Sequence, residues 1–409
     1  MGAEQNVSGR TSSPGWLDGI SLEVRCLCII SFVSAMGFGI QSPAIPVFGQ
    51  SLGMGSAMIG LIIASFPFAR LLMAWPGGSL VNHLGEYRVL GGGLTLLALS
   101  SLGAGLAGSA QELLVFRGLC GVGSIFYSIS AMSLMLRTTD ASNRGRAAGL
   151  FMGAYYVGAV TGPAIGSLFV GMSVRLPFFI YGAATGAAAI VALVLLRHLR
   201  HRRSPQTAQA PASVGVAQAL RLTSYRAALA SNFAIGFAVY GVRVSVLPLF
   251  LLVVLQQPAK WIGIGLTVGA LAQTLLLPKS GQWADAWGRK PTLILGLLLV
   301  LCSFLIILGG QSLTAYLIGM AAMGLGTAFC STSAAAIAGD TADGRGGTVI
   351  ATYQMSADLG MVVGPVLIGL IAQYQSYPIA LACTAALLVL ATLISLAMPG
   401  KRPQERHRE

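Results

Sequence analysis

Gly281-Gln282-Trp283-Ala284-Asp285-Ala286-Trp287-Gly288-Arg289-Lys290 ends one long apolar run and begins the next. Two glycines frame the stretch, a carboxylate stands between them and two cations close it. A looser copy lies about 203 residues earlier, Gly78-Ser79-Leu80-Val81-Asn82-His83-Leu84-Gly85, followed by Glu86 and Arg88. Glycine permits a tight reversal between helices, an acid can cap a neighbouring helix N-terminus, and cations hold a turn at a polar surface. A turn used twice at one spacing implies a duplicated chain, and other landmarks agree at a shift of about 202 to 203 residues. Gly121-x-Gly123 matches Gly324-x-Gly326, Gly158-x-x-x-Gly162-Pro163 matches Gly360-x-x-x-Gly364-Pro365, and Pro46 matches Pro248.

What flanks these turns is apolar enough to leave water. Of 409 residues, 55% are hydrophobic and 9% charged, where a soluble domain carries about 25% charged residues. Windows of about 19 residues give twelve spans, near 22 to 47, 57 to 80, 89 to 108, 112 to 136, 146 to 170 and 176 to 197, then 227 to 255, 261 to 280, 291 to 310, 312 to 338, 347 to 372 and 379 to 398. The expected fold is therefore an all-α membrane protein of two pseudosymmetric six-helix bundles. Its divisions are a tail at 1–21, a first bundle at 22–198, a linker at 199–225, a second bundle at 226–398 and a basic tail at 399–409. The first 20 residues hold no apolar core of a cleavable signal, so insertion is expected to start from the first span.

The net charge of +13 does not point to nucleic acid, because the cations do not share a solvated face. If both termini are cytoplasmic, 20 of the 25 Lys and Arg residues lie on that side, Arg175 and Lys260 lie outside, and Arg70, Arg117 and Arg243 lie within spans. That asymmetry predicts a multi-pass protein of a cytoplasmic, inner membrane with both ends inside. The six cysteines lack metal-ligand spacing and read as small packing residues.

On these residues the chain resembles the major facilitator superfamily, and within it the twelve-helix drug/proton antiporter branch. Gly281, Asp285, Gly288, Arg289 and Lys290 fit that family's conformational loop. Gly78, Asn82 and Gly85 form the departing first copy, with an amide where the acid belongs. The resemblance implies two bundles that rock about a central cavity, with Asp285 set against the start of helix 5 near Arg144 and Arg146. Gly158, Gly162, Pro163 and Gly166 are similar to the family's helix-5 antiporter motif, which in exporters packs the two halves together; a plain small-residue packing face explains the same glycines. Arg117-Gly118-Leu119-Cys120-Gly121 is similar to an element whose arginine is associated with proton coupling, although Cys120 stands where many members have glutamine.

Ionisable groups inside spans are where transport chemistry is sought. Asp358 is the one acid near a span centre, about 11 residues and hence ~16 Å into helix 11. The expectation is that Asp358 carries the coupling proton, with Arg243 or Arg117 as counter-charge; a structural ion pair is the alternative. Arg70 reads as a snorkelling or interbundle residue. Cavity candidates are Gln41, Tyr127, Tyr240, Arg243 and Phe329. Gln41 aligns with Arg243 across the repeat and stands where many proton-coupled exporters carry an acid, which disfavours strongly cationic cargo.

There is no phosphate-binding G-x-x-x-x-G-K-[ST] loop for ATP, no histidine set for a catalytic metal, and no ring of charge for a channel. An enzyme is not expected, and no cofactor or metal is implied. The reading is a proton-coupled exporter of drugs or amphiphilic metabolites, with a small-molecule substrate, protons and membrane lipid as partners and a monomer favoured. The alternatives are an importer or exchanger of a polar nutrient, and a transporter-like sensor or lipid-handling protein.

Overall fold

The computed structural model describes residues 21–139, 144–197, 216–342 and 347–399. Twelve long helices run through them: α1 (Leu22–Ser51), α2 (Ser56–Leu84), α3 (Glu86–Leu106), α4 (Ala110–Thr138), α5 (Arg144–Val170), α6 (Leu176–Leu195), α7 (Thr223–Val253), α8 (Lys260–Ala286), α9 (Arg289–Gly310), α10 (Leu313–Ala342), α11 (Gly347–Tyr374) and α12 (Tyr377–Leu396). Eleven of them are long and apolar enough to cross a membrane by length and composition, and α5, at 27 residues, has the same reach. An apolar chain in hydrocarbon must satisfy every backbone polar group within itself, which is why these runs are helical despite their glycines.

Local signals set the ends. Ser109 and Ser376 accept backbone N–H groups from Glu112 and Ile379 at 3.3 Å, capping α4 and α12. Between α2 and α3, and between α8 and α9, the chain reverses at Gly85 (φ 83°) and Gly288 (φ 102°), backbone that strongly favours glycine. Here the structure differs from the expected loops. Gly281 to Ala286 are the last residues of α8 and Gly78 to Leu84 the end of α2, because the helical ladder continues through them (Trp287 N to Trp283 O, 2.8 Å; Gly85 N to Val81 O, 2.9 Å). Only the second glycine of each copy makes the turn.

Two helices are irregular. In α1, Pro43 follows a break at Ser42, and in α7 residues Gly236–Val242 form a π-helical stretch that the sequence reading did not anticipate. Such wide turns mark places where a neighbouring backbone approaches or a side chain is re-aimed.

Each bundle is stitched by glycine. A Cβ at Gly158, Gly162 or Gly166 of α5 would overlap the α1 backbone at Phe32, Met36 and Ile40 respectively. A Cβ at Gly360 or Gly364 of α11 would overlap α7 at Phe233 and Phe237. With lipid outside as apolar as the side chains, this close backbone approach supplies association that hydrophobic burial cannot. The helix-5 motif therefore packs α5 on α1 within one half, which corrects the expectation that these glycines join the halves. The halves meet through α2 against α11 and α5 against α8.

Candidate functional site

At the end remote from the chain termini the halves are closed. Ala44, Ile45 and Phe48 of α1 and Ile59, Ile62 and Ile63 of α2 form one apolar cluster with Leu249 of α7, flanked by Tyr377. The Ala57 N–H donates to Gln373 Oε1 at 3.0 Å, and the Ser56 and Tyr377 hydroxyls share a 3.0 Å hydrogen bond. A Cβ at Gly60 would overlap the Pro365 carbonyl. At the end near the termini, the buried clusters around Leu27 and Leu134 and around Tyr225 and Val349 each draw on a single half. Open space adjoins Gly78 and Gly281 there.

Between those ends the halves enclose a group of tyrosines. Tyr127 of α4 lies beside Ser31 and Ser34 of α1 and within electrostatic reach of Tyr155 and Arg70. Tyr155 and Tyr156 of α5 meet edge to face at 5.9 Å, and both are within reach of Tyr240 of α7, as is Tyr353 of α11. Tyr155 remains 45% exposed although it sits among these groups, which marks a hollow and not a filled core. The lining is thus aromatic with phenol groups, suited to a flat apolar body with a few polar contacts.

Arg70 of α2 and Asp358 of α11 interact electrostatically across this hollow, one from each half. Arg70 Nη1 also donates to Ser124 Oγ at 2.6 Å, and its guanidinium lies 5.9 Å from the Phe66 ring centre. The cation within electrostatic reach of Asp358 is thus Arg70, where Arg243 or Arg117 was expected, and the interbundle reading of Arg70 fits that position. Asp358 was found from sequence because a lone acid in an apolar run is conspicuous. Tyr155, Tyr156 and Tyr353 were missed, since aromatic residues on membrane helices carry no mark of the face they occupy.

The other candidates divide by position. Tyr127 and Tyr240 belong to the hollow. Gln41 and Arg117 are buried together in the first half: Arg117 Nη1 donates to Gln41 Oε1 at 3.0 Å, and Gln41 Nε2 donates to Ser101 Oγ at 2.6 Å. The Arg117 guanidinium also sits 5.0 Å from the centre of the Phe66 ring. Arg243 is buried beside Tyr240 and Tyr316. Phe329 stacks on Trp283 at 5.6 Å, which stacks on Trp287 at 5.0 Å, bracing the end of α8. Of the conformational loop, Arg289 pairs with Asp340 at 3.2 Å, and Lys290 Nζ donates to the Leu396 and Met398 carbonyls at the end of α12. The side chains of Asn82, Asp285, Arg144 and Arg146 lie outside the described residues, and the expected contact of Asp285 with them falls there too. Among the described residues no group of three or more His, Cys, Asp or Glu side chains is placed to hold a metal.

A sequence profile described as the Major Facilitator Superfamily matches residues 27–261 and 244–409. Multidrug resistance protein 2 of Bacillus subtilis is 26% identical over 166 residues, 41% of this chain and 42% of that protein. The chain thus spans well under half the length of that relative. An uncharacterised transporter of the same superfamily from Methanocaldococcus jannaschii is 22% identical over 361 residues, 85% of this chain and 91% of its own. Among solved structures, a bacterial homologue of the human lysosomal transporter Spinster, inward-facing and unoccupied, superposes with a TM-score of 0.74 at 16% identity, covering 91% of this chain and 95% of that one.

Proposed function

The chain belongs to the Major Facilitator Superfamily, so it is a multi-pass membrane transporter of small molecules, and from that premise we propose that it exports drugs or amphiphilic metabolites in exchange for protons. The observation that carries the reading is that Arg70 of one half stands within electrostatic reach of Asp358 of the other, beside the tyrosine-lined hollow. Ionised, the two side chains attract and hold α2 and α11 together at mid-depth. A proton on Asp358 cancels that attraction, and the halves are free to part there.

The tyrosines supply the cargo site. An aromatic or amphiphilic molecule stacks on rings from both halves, so its affinity changes when the halves move, which is the differential binding that alternating access requires. Aromatic rings dominate the lining, which suits a flat apolar body better than a polar nutrient. With both termini at the cytoplasm, as the Lys and Arg asymmetry supports, the closed far end faces outwards and the hollow is poised to load from inside.

The test is Asp358→Asn in proteoliposomes carrying an imposed proton gradient. The expected result is normal insertion, retained exchange of a fluorescent amphiphile, and loss of the acceleration that the gradient gives the unaltered protein. Gradient-driven export at the unaltered rate overturns the reading.

A further inference from the structure

We infer that Arg243 is an anion site beside Tyr240 of the hollow, and that the molecule it takes is an aromatic or amphiphilic organic monoanion, a carboxylate or sulfonate. The inference deepens the export reading by naming a substrate class, and rests on it only for the claim that the occupant is cargo.

The internal repeat makes the case. Arg117 and Gln41 occupy the crossing of α4 with α1, and Met320 and Arg243 occupy the equivalent crossing of α10 with α7, at the same shift of about 202 to 203 residues. In the first half the guanidinium is on α4 and the facing position provides an amide oxygen, 3.0 Å away. In the second half the guanidinium has moved to the facing helix and its opposite number is methionine, whose side chain offers no oxygen. Arg243 is 9% exposed, and neither its Nε nor its Nη1 has a hydrogen-bond partner among the described residues. It makes no ion pair there either: the described pairs are Arg137 with Glu86 and Arg289 with Asp340, and Asp358 faces Arg70.

A guanidinium in the membrane interior is costly unless something compensates it, and a buried donor left without an acceptor adds to that cost. Two parallel N–H groups of one arginine match a carboxylate or sulfonate in a bidentate arrangement. What selects an organic anion over an inorganic one is the neighbour: Arg243 lies beside Tyr240, which belongs to the ring of tyrosines. An acidic head at Arg243 would set an aromatic body among Tyr240, Tyr155 and Tyr353.

The experiment is calorimetric titration of the full-length protein in detergent with 2-naphthoate, its methyl ester and 2-naphthylmethylamine, with chloride and phosphate as further titrants. The variants are Arg243→Gln, which gives the position its first-half amide, and Met320→Gln, which keeps the arginine but offers it an internal acceptor as Gln41 does for Arg117. Naphthoate is expected to bind the unaltered protein and to weaken by about tenfold in both variants, the size of a charge-assisted hydrogen bond, while ester binding is unchanged. Naphthoate affinity unmoved by both substitutions, binding of ester or amine ahead of naphthoate, or displacement of naphthoate by chloride at equal concentration each overturns the proposal. Because the titration uses no gradient, it stands or falls separately from export.

Discussion

At the scale of single residues, the most informative pair is Gln41 with Arg117. Arg117 is 2% exposed and its described hydrogen-bond acceptor is one neutral amide. Gln41→Leu keeps the volume and removes that acceptor, so unfolding in detergent should become easier by about 1 to 3 kcal/mol, read as a lower melting temperature. Gln41→Glu supplies a carboxylate at the same place and should retain or raise it. Equal melting temperatures for all three proteins would mean that the amide does nothing for the arginine. What the sequence disclosed at this scale follows from cost: Asp358, Arg117 and Arg243 are conspicuous because a charge in an apolar run demands a reason. What it concealed follows from rotation. Tyr155, Tyr156 and Tyr353 face the hollow because Gly158 and Gly360 fix how α5 lies on α1 and α11 on α7, and that azimuth is a property of two helices, not of either string of residues. For Arg70 the depth was visible and the direction was not, which left snorkelling and interbundle readings side by side.

At the scale of elements, the two halves solve one problem with opposite charges. The end of α4 is tied to the start of α3 by Arg137 on Glu86 at 2.9 Å, and the end of α10 to the start of α9 by Asp340 on Arg289 at 3.2 Å. Residues 86 and 289, and 137 and 340, are equivalent in the repeat, so acid and base have exchanged helices while the link has stayed. Burial decides which link matters more. Glu86 is 1% exposed and also accepts from Ser133 at 3.2 Å, whereas Asp340 is 63% exposed. Losing one member of a buried pair strands the other and costs about 3 to 5 kcal/mol, while a solvated pair is worth about 0 to 1 kcal/mol. Thermal unfolding should therefore show a large loss for Glu86→Gln and a small one for Asp340→Asn. The exchange Glu86→Arg with Arg137→Glu, which copies the second half, should recover much of what Glu86→Gln loses. A penalty at Asp340 as large as at Glu86 would contradict the ranking. The repeat was legible at this level because glycine, proline and charge recur at one spacing; the π-helical stretch of α7 was not, since it lies where Gly236 approaches the Ala357 backbone and Gly241 the Pro365 ring, contacts made by another helix.

At the scale of the whole molecule, the closed end sets what the resting protein can do. α2 is joined there to α11 by Ala57 to Gln373 and to α12 by Ser56 to Tyr377, and the apolar cluster of Phe48, Ile62 and Leu249 excludes water behind them. Transport by alternating access requires that this seal open while the halves come together at the other end, where the apolar clusters among the described residues each draw on one half. A short thiol-reactive cross-linker between Ala57→Cys and Gln373→Cys should hold the seal shut. The background needs Cys302 and Cys383, the two exposed native thiols, replaced by serine. Cross-linked protein in proteoliposomes is expected to lose export and exchange alike, while binding of the same amphiphile from the open end persists, and reduction restores transport. The contrast is what gives the experiment its force, because a cross-link that merely damaged the fold would abolish binding with transport, and one placed on a surface that never moves would spare both. Full turnover after cross-linking would place the moving interface elsewhere than α2 on α11, and with it would fall the proposal that Asp358 gates these two helices through Arg70.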